Sequence, residues 1–223
     1  IALDFKYGDV EAMADGNIDV TLFHGAVRNS ENEHLAKLLR AKSKVLVAFG
    51  TCAHIGGIPS LANLFNKQSI FKRVYHDSPS TVNSDGIEPQ PKTKVPEGEI
   101  TIPQFYDTVR PLDHIVDVDY YVPGCPPTPK QIWSVVTTIV SGQLPPKGAV
   151  IGASEKTQCD ECPRKKNEKK ITSFKRIATA QPEQETCYLE QGFLCLGPVT
   201  RGGCDTRCQL SGVACRGCYG PPP

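Results

Sequence analysis

The sequence predicts an α/β domain built on a parallel sheet, followed by an irregular, cysteine-rich C-terminal domain. Three observations carry that expectation. Two runs rich in β-branched residues, IDVTLFHGAV (18–27) and KVLVAFG (44–50), bracket a helical pattern. Two strand-like runs each lead into a glycine-containing loop with one cysteine. Eight of the ten cysteines lie at or beyond residue 159.

The opening stretch, IALDFKYGDVEAMADG, has weak periodicity, whereas 18–27 reads as a strand buried on both faces. In RNSENEHLAKLLRAKS, Ser30 and Glu33 have capping-box spacing, and Leu35, Leu38 and Leu39 mark one helical face. A strand, a helix and a second strand within about 30 residues form a βαβ unit and require a parallel sheet. The second strand runs directly into GTCAHIGG, which sets Cys52 at the carboxyl end of a parallel strand, the edge where open α/β sheets bind ligands. His54 stands beside it, while His24, His34, His76 and His114 are scattered without ligand spacing.

Residues 60–111 are poorer in regular signal, and within them PSTVNSDGIEPQPKTKVPEGEI (79–100) is dense in Pro, Ser and Asp and reads as a long surface excursion, a lid or a partner-binding surface. IVDVDYYVPGC then repeats the earlier grammar, a short strand ending in a Gly-Cys loop with Cys125. Thr128 as N-cap, Pro129 at the first helical position and Gly142 near the end delimit a helix over QIWSVVTTIVSG. Two cysteine loops, each following a strand, are expected to meet at one sheet edge, where Cys52 and Cys125 form half of a four-ligand site. LPPKGAV closes the α/β region, which places the domain boundary near residue 150.

The tail from Cys187 to Cys218 holds six cysteines in 32 residues, interleaved with glycines and poor in apolar residues. Cys159 and Cys162 of CDEC raise the count to eight, two sets of four. Four thiolates is the ligand count of a 4Fe-4S cluster and of a structural zinc site. Disulfides also accommodate an even number. However, a 223-residue chain has length for a core and does not need such staples. Zinc ribbons favour two short-spaced pairs, so the wide spacing here favours iron-sulfur over zinc. In PRKKNEKKITSFKR (163–176), the basic residues Arg164, Lys165, Lys166, Lys169, Lys170, Lys175 and Arg176 face one acid, Glu168. They read as a solvated face or as a docking patch for an acidic redox partner.

Composition narrows the function classes. Hydrophobic residues at 39% and a formal charge of +1 describe a globular chain without global bias toward nucleic acid or membrane. No run of about 18 apolar residues is present. The ligand-like clustering of the cysteines favours a reducing, cytoplasmic setting.

GTCAHIGGIP, YVPGCPPTP, CDECPR and CYLEQGFLCLGPVTRGGC with its closing CRGC, in that order, resemble the small, electron-transfer subunits of NiFe hydrogenases. Among these, the soluble cytoplasmic group with the methyl-viologen-reducing gamma subunits is most similar. The resemblance implies a flavodoxin-like N-terminal domain, 1–150, and a ferredoxin-like iron-sulfur domain, 151–223. It implies a proximal 4Fe-4S cluster bound by Cys52, Cys125 and two cysteines of an N-terminal CxxC, which with its preceding strand is expected in a segment ahead of Ile1. It further implies a distal cluster on Cys159, Cys162, Cys187 and Cys195, and a medial cluster on Cys204, Cys208, Cys215 and Cys218. Periplasmic relatives carry histidine where Cys159 stands, and many carry proline at one medial position, leaving a 3Fe-4S centre. The cysteines here imply all-cysteine clusters of low potential, within the range of about −700 to +450 mV. That potential suits NAD, a deazaflavin or ferredoxin better than a quinone. No residue is needed as general acid or nucleophile, and Arg164 and Tyr219, beside ligand motifs, read as packing or surface residues or as tuners. The implied partners are the NiFe large subunit and a further flavin or iron-sulfur acceptor subunit, with no nucleic acid and no direct membrane span. Two other readings are a cluster-bearing subunit of a respiratory NADH:quinone oxidoreductase-like complex, which lacks an eight-cysteine tail, and a zinc-ribbon interaction protein.

Overall fold

A computed structural model describes residues 4–168 and 170–223; residues 1–3 and Lys169 of the basic run lie outside the described residues. The chain divides into two compact units, Ile1–Tyr120 and Tyr121–Pro223.

The first unit opens with a short helix, α1 (Tyr7–Ala12), and then forms the expected βαβ unit. β1 (Ile18–Phe23) and β3 (Ser43–Phe49) pair in parallel, with Ile18 opposite Ser43 and Phe23 opposite Ala48. Between them lie β2 (Val27–Asn29) and α2 (Ser30–Lys42), and β3 is followed by the single-turn helix α3 (Thr51–Ile55). The strand order is β1-β3-β7, with β7 (Tyr120–Val122) opening at the last residue of this unit, so β3 is central. Its consecutive residues Leu46, Val47 and Ala48 are all fully buried, as an unbroken apolar run in a covered parallel strand requires. Just before β7, Asp119 donates its N–H to the Leu46 carbonyl (2.9 Å). The Asp119 carboxylate accepts from the Leu46 N–H (2.8 Å) and from Arg40 Nη1 of α2 (2.7 Å).

The cap of α2 differs from the expected Ser30–Glu33 box. Asn29, extended at the end of β2, is the N-cap, and its side chain accepts from the Asn32 N–H at 2.8 Å. Ser30 Oγ accepts from the Gln104 N–H instead. Glu33 is drawn away by two cations, Lys37 Nζ at 2.6 Å and Arg110 Nη2 at 2.7 Å. The helix therefore starts one residue earlier than the spacing suggests, because Asn29 supplies the capping oxygen that Ser30 was expected to supply.

The region 60–111, poor in regular signal, carries several short elements, while 77–91 forms neither helix nor strand. It contains a 3-10 helix (Ile58–Leu64), α4 (Lys67–Phe71) and a π-turn (Lys72–His76). It ends in a hairpin of β4 (Lys92–Val95) and β5 (Gly98–Thr101), followed by β6 (Phe105–Arg110), which pairs antiparallel with β2.

In the second unit, α5 (Pro129–Val140) has the expected Thr128 cap. The Thr128 hydroxyl accepts from the Gln131 N–H (3.2 Å), and Gln131 Oε1 accepts from the Thr128 N–H (3.4 Å). A parallel bridge joins Tyr121 to Val150. Beyond it the chain is mostly loops, with two short helices, α6 (Gln158–Glu161) and α7 (Arg207–Leu210), and isolated bridges Thr157–Arg201, Lys165–Thr186 and Lys175–Phe193. A small apolar core of Tyr188, Phe193 and Ala214 sits among these loops. Arg164, expected in the basic surface run, is instead 6% exposed. Its guanidinium lies 3.8 Å from the Tyr188 ring centre and donates to Tyr188 Oη and to the carbonyls of Glu183, Thr186 and Gln209. One buried cation thus ties three loop segments whose carbonyls have no sheet to join.

Candidate metal centres

In the first unit, β3 ends at Phe49, and the chain turns through Gly50 into α3, whose second residue is the half-buried Cys52. Gly57 closes over it with φ of +54°, and a Cβ there would lie 2.9 Å from Cys52 Sγ. Only glycine combines that backbone with that approach. His54 is on the same turn, its N–H bonded to the Gly50 carbonyl. Cys125 belongs to the second unit, where it is exposed. Cys52 and Cys125 therefore belong to different units.

The eight remaining cysteines are all in the second unit, and none of the ten is joined in a disulfide. Cys159 lies on α6, and Cys162 is its C-cap. Burial pushes the Cys159 thiol up to about 11. The neighbouring Lys166 ammonium opposes that shift, while charge on Cys195, Cys162 and Cys187 adds to it. Those three are the other members of the first expected group of four. Lys166 is held in place by a bond from its Nζ to the Cys159 carbonyl.

Cys218 shows the second group in the same way. Burial pushes it up to about 12, with charge on Cys204, Cys208, Cys215 and then Cys125 adding. Cys204 and Cys215 are raised by burial too, but each sulfur is met by donors. The N–H groups of Thr206 and Arg207 point at Cys204, and the Gly217 N–H points at Cys215. The two groups touch, since the Cys215 N–H lies 3.4 Å from Cys195 Sγ. Tyr188 adjoins both, its phenol raised by burial against the pull of Arg164, with charge on Cys195, Cys162 and Cys208 adding.

Among the described residues, no group of three or more His, Cys, Asp or Glu is close enough to hold a single metal ion. An iron-sulfur cluster spreads its thiolates over several irons, and three further features suit that kind of guest. Peptide N–H donors face the sulfurs, as cluster ligands require. Gly197 leaves the space beside them open, because a Cβ there would meet Cys159 Sγ at 3.1 Å and Cys195 Sγ at 3.6 Å. The buried amide nitrogen of Gln158 has no hydrogen-bond partner beside Cys204.

Sequence reasoning did not single out Gln158 or Thr200. Both are polar residues that are buried because the loops close over them, and no local pattern announces that. Tyr219, read as packing or tuning, is buried with its hydroxyl donating to Gln131 Oε1 at 2.7 Å.

A sheet edge carrying Cys52 and a tail carrying grouped thiols define a redox-subunit architecture. The chain belongs to the family described as NADH ubiquinone oxidoreductase, 20 Kd subunit, whose model matches residues 1–139. The resemblance to hydrogenase subunits extends through the tail beyond that match. The chain is 46% identical over 225 residues to the iron-sulfur subunit of the F420-non-reducing hydrogenase of Archaeoglobus profundus, covering 99% of this chain and 70% of the relative. It is 42% identical over 203 residues to a vhu subunit of the F420-non-reducing hydrogenase of Methanocaldococcus jannaschii, covering 91% and 65%. The chain thus spans about two thirds of the length of these relatives. A crystal structure of NAD+-reducing [NiFe]-hydrogenase in the H2-reduced state contains a similar chain, with TM-score 0.51 and 33% identity over 58% of this chain and 68% of that one. No helix among the described residues is long and apolar enough to cross a membrane.

Proposed function

We propose that this chain is the electron-transfer subunit of a NiFe hydrogenase, acting in the cytoplasm between a large subunit that holds the NiFe site and a flavin or iron-sulfur acceptor partner. The reading is supported by the eight tail cysteines, whose order resembles that of hydrogenase small subunits and among which Cys162, Cys187 and Cys195 act on Cys159, and Cys204, Cys208 and Cys215 on Cys218. The family model stops at residue 139, whereas relatives with hydrogenase names match through the tail, which favours this reading over a respiratory NADH:quinone oxidoreductase subunit.

In this reading, residues 1–150 form a flavodoxin-like domain and 151–223 a ferredoxin-like one. Cys159, Cys162, Cys187 and Cys195 hold a distal 4Fe-4S cluster, and Cys204, Cys208, Cys215 and Cys218 a medial one. Cys52 and Cys125 supply two ligands of a proximal cluster, completed by an N-terminal CxxC. Bound clusters supply one-electron redox chemistry at low potential. The chain's own residues do the rest. The cysteines present thiolates, the peptide N–H groups at Cys195, Cys204 and Cys215 stabilise charge on sulfur, and Gly57 and Gly197 keep side chains out of the space around Cys52 and Cys159. Burial around Tyr188 and Phe193 excludes water, so that these hydrogen bonds act in a low dielectric.

Anaerobic iron, acid-labile sulfide and zinc content per chain, measured on protein purified with its co-eluting partners, tests the proposal. Iron of about eight or twelve per chain, two or three four-iron clusters, is the expected result. Zinc without sulfide would falsify the relay and make the tail a structural ribbon.

A further inference from the structure

The amide of Gln158 is placed as no local signal announces. Gln158 is the first residue of α6 and only 1% exposed. Its backbone is fixed on both sides. Its N–H donates to the Thr200 carbonyl at 2.6 Å, and the preceding Thr157 is bridged to Arg201. The Asp160 carboxylate holds Thr157 through both its N–H and its hydroxyl, at 2.8 Å each. The side chain then reaches across to the other cysteine group, with Oε1 lying 2.9 Å from Cys204 Sγ. Nε2 is buried with no acceptor.

As a free thiol, Cys204 donates to Oε1, and both N–H groups of the amide are left unpaired. A thiolate bound to metal has no proton to donate and only accepts. The one donor Gln158 can offer is its NH2 group, and a half-turn about the terminal side-chain bond brings it to the sulfur within the same volume. That single change satisfies both the thiolate and the orphaned nitrogen.

We propose that Gln158 is a positioning residue whose side-chain N–H donates to the sulfur of Cys204 once that sulfur is a cluster ligand. It adds a side-chain donor to the peptide N–H groups of Thr206 and Arg207 at the same sulfur. Because Gln158 directly precedes Cys159, its backbone is bound to one cysteine group and its amide to the other. Movement of α6 therefore acts on both groups. A hydrogen bond to sulfur stabilises negative charge more in the reduced state, so Gln158 raises the potential of the cluster on Cys204. The inference rests on the cluster reading above.

Gln158→Met keeps the reach and removes the N–H, whereas Gln158→Glu keeps the shape and adds charge. Each is made in the whole complex and compared with the unaltered complex by iron and sulfide content and by redox titration followed by electron paramagnetic resonance. With iron content unchanged, the potential of one tail cluster is expected to fall in both variants. A tenfold change in its reduction equilibrium corresponds to about 59 mV for one electron. Full iron with unchanged potential in both variants overturns the inference and leaves the relay standing. If Gln158→Met loses a cluster, Gln158→Glu decides: a lowered potential with full iron supports the inference, and an unchanged potential or a lost cluster overturns it, making Gln158 a packing residue. An unaltered complex without iron and sulfide overturns the relay itself and this inference with it.

Discussion

Single atoms set the space beside the tail's sulfurs. At Gly197 the backbone conformation is open to any residue, so space alone selects glycine, with a Cβ reaching 3.1 Å from Cys159 Sγ and 3.6 Å from Cys195 Sγ. Gly197→Val adds three carbons there. It is expected to cost one four-iron cluster, about four irons per chain, by metal analysis. Cys208 is the second residue of α7, where the N–H has no partner within the helix, so proline is tolerated. Cys208→Pro is therefore expected to leave the fold intact and convert the cluster on Cys204, Cys215 and Cys218 to a three-iron form, seen as a new resonance signal in the oxidised protein. An unchanged spectrum would contradict the assignment of Cys208.

Helix α2 is the element where charge is most consequential. Hydrogen bonds from Lys37 and then Arg110 hold the Glu33 carboxyl down at about 2. A depressed carboxyl contributes stability that is complete above the ordinary value of about 4.3 and is lost as pH falls toward 2. Glu33→Gln is thus expected to melt below the unaltered protein at neutral pH, with the gap closing between about pH 4.3 and 2. A gap independent of pH would rule out this ionic contribution. At the other end of α2, Arg40 meets Asp119, which is 4% exposed and also holds the N–H of Leu46 in the central strand. Removing the carboxylate in Asp119→Ala strands a half-buried cation and a buried amide. The expected loss is about 3 to 5 kcal/mol in chemical denaturation, against near zero for an exposed pair. The regular elements were legible where burial is periodic. β1, α2, β3 and α5 follow their apolar patterns, whereas the β4–β5 hairpin is exposed on both faces except at Val95 and has no alternation to read.

For the molecule as a redox partner, the basic segment after Cys162 is smaller than its composition implies. Arg164 is buried and Lys165 is paired with Glu185, leaving Lys166, Lys170, Lys175 and Arg176 exposed among the described residues. Reversing Lys175 and Arg176 to Glu is expected to raise the hydrogen-dependent reduction rate of methyl viologen, a dication, relative to an anionic dye, most at low salt. Equal rates would show that this surface does not steer partners.

The sequence by itself determined the βαβ unit, the α5 cap, the family and the order of ten cysteines, because strand and helix periods, caps and ligand spacing are properties of neighbouring residues. Only the tertiary structure decided that Arg164 is a buried tie and not surface charge, and that Gln158 reaches a sulfur 46 positions away. Burial and hydrogen-bond partnership depend on which segments close over a side chain, and loops without a repeating pattern carry no local record of that.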